Sequence, residues 1–387
     1  MTSAGDLTRL GEFADTWRDP DLERLIQGQP PEDDGILTEL SVGIEYITDF
    51  WREHYLDNFI RLGGAKIKFV TGSAGSGKTH CLRLFLSRAR ERGFKTVYIS
   101  AKDVWLNDFK EVYAAILKAV DLPGALNNCA RLIVENMGYN PDDIPEGQTF
   151  FDYLSANGNI DALTKRELRD QISRVYLKNP RLDNNFAVCC SILTGGILGY
   201  PILEEQSRNL ILSWLAGTKG VRTADLRKLG LSPGRVTKYN SRHMLRSLIE
   251  SLKSAGYPGL VVVVDDLDVM GGMSSFDAPR YTRMRREDAY ESIRELIDDI
   301  DTMSNVMFLF SFRTDLLENE NVGLKSYQAL WMRIQTEINS ENFNRFADFI
   351  DMDNVAERVF TEENITLMSE KLAEWVKRRG GNQTAQE

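Results

Sequence analysis

Short apolar runs alternate along this chain with longer stretches in which apolar residues recur at helical spacing. Runs of the first kind are typical of buried strands, and stretches of the second kind are typical of amphipathic helices. The predicted strands are IKFV after Lys66, KTVYIS at Lys95–Ser100, LVVVV at Leu260–Val264, VMFLFSF at Val306–Phe312 and the short run Phe349–Met352. Helical periodicity follows the first three runs at Leu82–Ala89, Phe109–Leu117 and Ile293–Ile300. This alternation predicts an α/β fold with a parallel sheet.

Two further regions have helical patterns. From Leu37 onward, apolar residues from Leu40 to Phe59 keep helical spacing, which predicts one amphipathic helix leading to the first strand. Between Asp121 and Gly256 no clear strand occurs, and apolar segments are separated by Gly, Pro and Asn. We interpret this region as a mostly helical insertion between the second and third strands, with the alternative that it contributes part of the core itself.

These patterns divide the 387 residues into five parts. We predict an N-terminal helix and loop over 1–36, the first part of the α/β core over 37–120, the insertion over 121–256, the second part of the core over 257–360, and a C-terminal region over 361–387. That last region combines a helix, Glu362–Arg378, with a polar tail expected to be disordered.

Composition narrows the class of protein. A formal net charge of -10 argues against a surface coated all over in nucleic acid but leaves room for a local basic patch. No signal-peptide pattern opens the chain, and the longest uncharged stretch, Asn184–Leu203, is broken by Gly and Pro, so we interpret it as a packed core helix rather than a membrane span. The four cysteines lack C-x-x-C spacing, which argues against structural zinc and a disulfide framework. We therefore expect a cytoplasmic protein without membrane association.

The first motif with specific chemistry is GSAGSGKT at Gly72–Thr79, between a predicted strand and a predicted helix. It fits the phosphate-binding loop G-x-x-x-x-G-K-[ST], whose glycines let backbone N–H groups turn inward around a polyphosphate at a helix N-terminus. Lys78 would reach the β- and γ-phosphates, and the Thr79 hydroxyl would hold Mg²⁺. The predicted nucleotide contacts here are Gly72, Ser73, Ala74, Gly75, Ser76, Gly77, Lys78, Thr79 and His80. A glycine turn without a ligand is the alternative.

Candidate nucleotide contacts also lie outside this loop. Val42 and Gly43 would line an adenine pocket with an apolar side chain and a bare backbone, although ordinary helix entry explains them equally well. Arg313 and Thr314 end the fourth strand, where a polar group can sense the γ-phosphate. Capping of the next helix by Thr314 or Asp315 is the alternative for that second pair.

The second motif is GLVVVVDDLD at Gly259–Asp268, a strand buried on both faces with carboxylates at its C-terminal end. In an α/β nucleotide-binding protein that end faces the ligand. Asp265 would then hold Mg²⁺ through water, and Asp266 would polarise the attacking water as a general base. The commoner residue at the second position is glutamate, which is longer by one methylene. Either the backbone compensates, Asp268 helps, or hydrolysis is slow.

Several arginines and lysines are candidates for contacts with another subunit or with DNA. Arg333 and Arg345 are placed where an arginine finger would project from one subunit to the next, so we expect a homo-oligomer. The stretch Lys219–Arg246 carries eight basic residues against the single acid Asp225, and its rhythm is that of a helix-turn-helix. Phosphate contact with DNA is one interpretation, and a solvated face or a contact with an acidic subunit is the other.

A second basic cluster, Arg280–Arg286, directly follows the predicted Mg²⁺ strand. These arginines would contact DNA phosphates or a neighbour's nucleotide. Pairing with the surrounding Glu and Asp residues explains them nearly as well.

Beyond these motifs, the chain resembles the AAA+-like ATP-binding proteins of bacterial BREX phage-defence loci. The resemblance rests on GSAGSGKT followed by SRARERGFKTVYIS, on SWLAGTKG at Ser213–Gly220, on GYPGLVVVVDDLD, on REDAYESIRELIDDID at Arg286–Asp301 and on LKSYQALWMRI at Leu324–Ile334. It implies an ATPase domain with sheet order 5-1-4-3-2 that uses ATP and Mg²⁺ within a multi-protein antiviral system, with other defence-locus proteins as partners and DNA as a possible one.

The same resemblance supports Lys78 and Thr79 on nucleotide and Mg²⁺, and Asp265 on Mg²⁺. It also indicates two departures. Asp266 stands where the family looks to have glutamate, and only one helix follows Phe360, so the helical lid looks truncated and a C-terminal winged helix looks absent.

Two functional hypotheses follow from these observations. The first is an ATP-hydrolysing defence component whose nucleotide state controls DNA engagement or complex assembly. The second is a nucleotide-gated scaffold that hydrolyses ATP poorly and recruits an effector protein, motivated by Asp266 and the short lid. A membrane-associated KAP-like protein is a third interpretation, suggested only by the DDLD string and opposed by the lack of a convincing span.

Overall fold

The computed structural model describes residues 19–158, 160–231, 234–272, 281–338 and 346–383. Within them, the strands form one parallel sheet of five strands in the order β2-β3-β4-β1-β5. Their bounds are β1 Ala65–Thr71, β2 Lys95–Ser100, β3 Leu260–Asp265, β4 Val306–Ser311 and β5 Phe349–Asp351. Read from the opposite edge this is 5-1-4-3-2, so the predicted α/β fold and strand order are confirmed.

Helices occupy most of the remaining described chain. Before β3 they are α1 Pro20–Ile26, α2 Asp34–Leu40, α3 Glu45–Trp51, α4 Lys78–Glu91, α5 Phe109–Ala119, α6 Leu122–Asn136, α7 Phe150–Ala156, α8 Ala162–Ile172, α9 Asn184–Leu198, α10 Glu205–Leu215, α11 Thr223–Lys228 and α12 Ser241–Ser254. After β3 they are α13 Arg283–Asp299, α14 Thr314–Glu318, α15 Gln328–Ile338, α16 Met352–Val359 and α17 Glu362–Gln383. Helices α3 and α8 continue as π-helical turns over Arg52–Ile60 and Ser173–Leu177.

The sheet is buried on both faces, as the apolar run in β3 predicts. Val261 and Val263 point to one side, where they pack with residues of α2, α3, α4 and α16. Leu260, Val262 and Val264 point to the other side, where they pack with α5, α12 and α13. Successive side chains of a strand point to opposite faces, so an unbroken apolar run requires helices on both.

The helical insertion between β2 and β3 spans α6 to α12 and shares its core with the sheet. One continuous cluster of buried residues joins Ile67 and Val262 of the sheet to Leu126 of α6, Phe186 of α9 and Leu248 of α12. Both sequence interpretations of this region are therefore correct: it is inserted between two strands, and it contributes to the core. The uncharged segment around α9 is a buried helix, and no helix in the described ranges is long and apolar enough to cross a membrane.

The structure corrects two predicted helix boundaries. The single helix predicted from Leu37 is wrong, because the chain leaves the helical conformation at Ser41 and Gly43 adopts a φ of +80° between α2 and α3. At the other end of the chain, α17 runs to Gln383, past the predicted end at Arg378. Ion pairs of Arg378 with Glu39 and of Arg379 with Asp19 hold this end of α17 against the N-terminal region.

Asn305 fixes the start of the sheet, opposite the edge where the candidate site lies. Its side-chain amide donates to the carbonyl oxygens of Ile60, Pro258 and Arg61 at 2.8, 3.1 and 3.2 Å. The residue is 3% exposed and has a φ of +58°, a backbone conformation that asparagine tolerates better than most residues. One side chain thus joins the segments that lead into β1, β3 and β4.

Asn305→Asp replaces this donor with a carboxylate that faces three carbonyl oxygens, so we expect it to lower the free energy of unfolding by about 2 to 4 kcal/mol. Asn321→Asp is a control on an exposed loop and is expected to change it by less than about 0.5 kcal/mol. Urea unfolding followed by circular dichroism measures both. Equal stability of the two variants would show that Asn305 does not anchor the sheet.

Candidate nucleotide-binding site

The strands are parallel, so their C-terminal ends meet at one edge of the sheet, and the predicted site residues gather there. The loop between β1 and α4 wraps the start of α4, with Gly77 at the N-cap at a φ of +87°. A Cβ at Gly72 would lie 2.5 Å from Ser76 Oγ, so the loop closes tightly only with glycine there. Residues 72–80 thus present backbone N–H groups near a helix N-terminus, the arrangement that binds phosphate.

Lys78 folds back over this loop. Its ammonium donates to the carbonyl oxygens of Gly72 at 2.9 Å and Ser73 at 2.7 Å, and lies 3.4 Å from Ser76 Oγ. Burial lowers the pKa of Lys78, while the negative charges of Asp268, Asp265 and Asp353 oppose that shift. The lysine is therefore held inside the loop, close to carboxylates from other strands.

Asp265, at the end of β3, is the most buried carboxylate of the site, with 3% of its surface exposed. One of its oxygens accepts hydrogen bonds from the hydroxyls of Thr79 and Tyr98, both at 2.8 Å, and the other accepts from the backbone N–H of Asp266. Burial raises the pKa of the Tyr98 hydroxyl, which keeps it protonated and able to donate. Three segments, the loop, β2 and β3, therefore meet at one carboxylate.

The side chain of Asp266 has different partners from that of Asp265. Its backbone is left-handed, with a φ of +62°. One carboxylate oxygen accepts from Ser100 Oγ at 2.7 Å, and the other lies 2.6 Å from Lys102 Nζ. The predicted general base is thus held by the end of β2 and the residues after it.

Asp268 contacts Arg313, which follows the end of β4. Its Oδ1 accepts from the backbone N–H of Arg313 at 2.6 Å and lies 3.6 Å from Arg313 Nε. Burial raises the pKa of Asp268, and Arg313 and Lys78 partly oppose the shift. Arg313 therefore lies at this edge of the sheet with Asp268 as its partner.

A largely apolar cleft of about 220 Å³ adjoins the loop. It is lined by Val42, Ser76, Gly77 and His80 together with Met352, Val355, Ala356 and Val359 at the start of and along α16, and Met368 of α17. The predicted Val42 thus lines the cleft. Gly43 lies against Val359 and Asn364, where a Cβ would come within 2.7 Å of Asn364 Nδ2.

His80 is fixed at the wall of this cleft. Its Nε2 lies 2.8 Å from Ser41 Oγ, and that hydroxyl donates its own proton to the carbonyl of Leu37. Burial lowers the pKa of His80. The imidazole is therefore neutral at physiological pH and donates from Nε2 to Ser41.

A sequence-family profile described as "BREX system ATP-binding protein BrxC/D" matches residues 20–384 of this chain. The chain belongs to the BrxC/D family. It is an ATP-binding protein of a BREX phage-defence system, and the resemblance noted in its sequence is confirmed. No curated protein matches the chain.

Three predicted contacts lie apart from this BrxC/D site or outside the described chain. Arg333 forms a bidentate pair with Asp298 of α13, with both contacts at 3.1 Å, and also binds its own helix through the carbonyl of Ala329. Arg345 and Arg280 lie outside the described residues. Within the chain itself, Arg333 therefore completes no part of the site.

The predicted helix-turn-helix is wrong. Helix α11 ends at Lys228 and α12 begins only at Ser241, so no short turn joins them. Helix α12 also buries Leu245, Leu248 and Leu252 in the core and leaves no free recognition face on that side. Arg242 of α12 pairs with the acidic residues Glu295 and Asp299 of α13.

Sequence reasoning missed Tyr98, Lys102 and Asp353. The first two follow from strand order, because β2 lies beside β3 with Ser100 opposite Asp265. Asp353 follows β5, beside β1, and its carboxylate accepts from the N–H and hydroxyl of Ser73 at 2.6 to 2.9 Å. This contact joins the phosphate-binding loop to α16, which lines the cleft.

The donors present fit Mg²⁺. Among the described residues, no group of three or more His, Cys, Asp or Glu side chains is arranged to hold a metal alone. Mg²⁺ bound with a nucleotide takes most of its ligands from phosphate and water and needs only one or two protein oxygens. Thr79 Oγ1 and Asp265 Oδ2, 2.8 Å apart, supply such oxygens beside the loop.

Ala356→Phe fills the cleft beside the loop, so we expect it to weaken ATP binding by about tenfold or more, equivalent to about 1.4 kcal/mol. Glu357→Phe adds the same ring at the next, exposed position of α16 and is expected to leave affinity within about twofold. Titration calorimetry with ATP compares them. Unchanged binding by Ala356→Phe would show that the base occupies some other place.

Proposed function

We propose that this BrxC/D protein hydrolyses ATP and that its nucleotide state controls engagement of DNA or assembly with other proteins of the defence system. The observation that carries the proposal is the convergence of Lys78, Thr79 and Asp265 at one edge of the sheet. Loop N–H groups, a lysine, a hydroxyl and a buried carboxylate are the parts that phosphoryl-transfer sites share.

The roles of these residues follow from their positions. Lys78 would exchange the carbonyls of Gly72 and Ser73 for the β- and γ-phosphates. Thr79 and Asp265 would hold Mg²⁺, which neutralises charge on the phosphate oxygens when bound. The adenine would enter the apolar cleft beside Val42, and the backbone of residues 72–77 would surround the phosphates.

For the attacking water, the geometry supports Asp268 over Asp266. Asp266 is engaged by Ser100 and Lys102, whereas Asp268 approaches both Lys78 and Arg313. A carboxylate at that place would accept the proton of a water near the γ-phosphate, with Arg313 as the neighbouring sensor. Asp268 also accepts a hydrogen bond from the backbone N–H of Arg313, so it would position Arg313 as well.

A second candidate function is the nucleotide-gated scaffold. The ion pair of Asp266 with Lys102 favours it, because a carboxylate held by a lysine is not free to orient an attacking water. The contact of Asp353 with Ser73 gives such a scaffold a link from nucleotide to α16. In this case ATP binds tightly and turns over slowly.

The proposed function also involves contacts with a neighbouring subunit and with DNA. Arg333 would serve a neighbouring subunit in an oligomer only by leaving Asp298, and Arg345 is the second candidate for that role. DNA would meet the exposed basic residues of 219–246 or of the second cluster, in which Arg283 pairs with Glu287 and Arg285 stacks on Trp105. Those two arginines already have partners, whereas Lys219 and Arg235 have no acidic oxygen within 4.0 Å in the described ranges, so the stretch 219–246 is the better DNA candidate.

Lys78→Ala removes the cation that would neutralise the phosphates, so we expect ATP binding to fall by at least about a hundredfold and turnover to vanish. Lys118→Ala removes an exposed lysine of α5 and is expected to change neither. Equilibrium binding of a fluorescent ATP analogue and phosphate release measure both steps, with thermal unfolding as the check on the fold. Normal turnover by folded Lys78→Ala protein would refute the assignment.

Asp268→Asn should reduce turnover by about 10² or more while ATP still binds, and Asp266→Asn should reduce it less. Because burial raises the pKa of Asp268, activity should fall with acidification at a higher pH than for an ordinary aspartate, since the base must be deprotonated. Phosphate release measured against pH provides the test. A larger loss of turnover in Asp266→Asn than in Asp268→Asn would show that Asp266 is the base.

A further inference from the structure

A second cavity, of about 180 Å³, lies where the insertion meets α5, and none of its lining residues belongs to the nucleotide site. Its polar lining comes from Lys110 of α5 and from Thr218, Lys219, Thr223 and Arg235 of the insertion. We call these five residues the cationic pocket. They contribute three positive charges and two hydroxyls to one small cavity.

Among the described residues, no acidic side chain balances the charge of this pocket. No carboxylate lines the cavity, and in the described ranges no acidic oxygen lies within 4.0 Å of the cationic groups of Lys110, Lys219 or Arg235. Other cations of the same basic stretch are paired: Lys228 lies 3.0 Å from Asp225, and Arg242 lies 2.6 Å from Glu295. Like charges that share a cavity repel one another, and a bound anion relieves that repulsion.

The fold builds the pocket. Gly217 adopts a φ of +65°, and a Cβ there would lie 2.8 Å from Lys110 Cε and 3.3 Å from Val236 Cβ. Any other residue at this position would therefore displace the lysine stem. Trp214 Nε1, at the end of α10, donates to the carbonyl of Gly234 at 2.9 Å and holds the loop that carries Arg235 against that helix, which leads into the loop that carries Lys219. The cations are thus brought together by packing from α5 and from both loops.

We propose that the cationic pocket binds a phosphate group. Lysine, arginine and threonine hydroxyls are the side chains that proteins use for phosphate oxygens. A nucleic-acid backbone and a small phosphorylated ligand supply the same chemistry. The surroundings favour the backbone, because the same stretch of chain carries the exposed cations Arg222, Arg227 and Lys238 and an aromatic ring, Tyr239, that is 83% exposed.

The phosphate site itself is independent of ATP binding, and only the DNA source rests on the proposed function. The first measurement is calorimetric titration of inorganic phosphate and pyrophosphate into Lys78→Ala protein, in which the loop of the ATP site no longer competes. Adding Lys219→Ala and Arg235→Ala should abolish that binding. Adding Lys228→Ala, which removes a paired lysine of the same stretch, should leave it intact.

The second measurement is fluorescence anisotropy of a labelled DNA duplex with otherwise unchanged protein, at several salt concentrations. The pocket double variant should lose about tenfold or more in affinity, and its salt slope should fall by about 2, since each neutralised phosphate contributes about 0.9. Lys228→Ala should change neither quantity. Phosphate binding without this DNA effect would support the pocket and assign it to a small phosphorylated ligand.

Two results would overturn the proposal. One is that the pocket variants change neither the binding of phosphate and pyrophosphate nor the affinity for DNA. The other is an equal loss of phosphate binding and of DNA affinity in Lys228→Ala, which would indicate diffuse charge rather than a site. ATP binding by the pocket double variant should be normal, so a failure of the pocket and a failure of the ATP site give different results.

Discussion

The buried carboxylate of Asp265 is the contact on which the ATP site depends. Thr79 from the phosphate-binding loop and Tyr98 from β2 both donate to it, so three segments far apart in sequence are held at one edge of the sheet. Because Asp265 is buried, its carboxylate needs these hydrogen bonds, and leaving it unpaired would lower the stability of the fold. The same carboxylate gives the site an oxygen that suits Mg²⁺ beside the Thr79 hydroxyl.

Around that contact, two further carboxylates take separate partners. Asp266 turns to Lys102, and Asp268 turns to Arg313 and Lys78. Lys102 precedes α5, and Lys110 of the cationic pocket lies in the first turn of the same helix. One short segment therefore carries both the lysine that holds Asp266 and a lysine of the proposed phosphate site. On the other side, Asp353 joins the loop to α16. The ATP site is thus linked to the insertion through β2 and to the C-terminal helices through β5.

Local patterns predicted the strands and the phosphate-binding loop well, because the conformation of an apolar run such as VVVV or of a motif such as GSAGSGKT depends mainly on its own residues. The strand order came from the family resemblance. The break between α2 and α3 was missed because helical spacing of apolar residues continues across Ser41 and Gly43. The helix-turn-helix prediction was wrong for a different reason, because short segments do not show that α12 belongs to the core. The direction of Asp266 depends on a left-handed backbone, and the partners Lys102 and Asp353 depend on which strands are neighbours. The sequence DDLD predicts neither this backbone conformation nor which strands are neighbours.

The most direct test of this account is an experimental structure of the protein with Mg²⁺ and a non-hydrolysable ATP analogue. We expect the adenine beside Val42 and Ala356, the metal beside Thr79 and Asp265, and Asp268 as the carboxylate nearest the γ-phosphate, with Asp266 still on Lys102. A γ-phosphate faced by Asp266, released from Lys102, would contradict the division of roles between the two carboxylates. A nucleotide bound away from residues 72–79 would contradict the site itself.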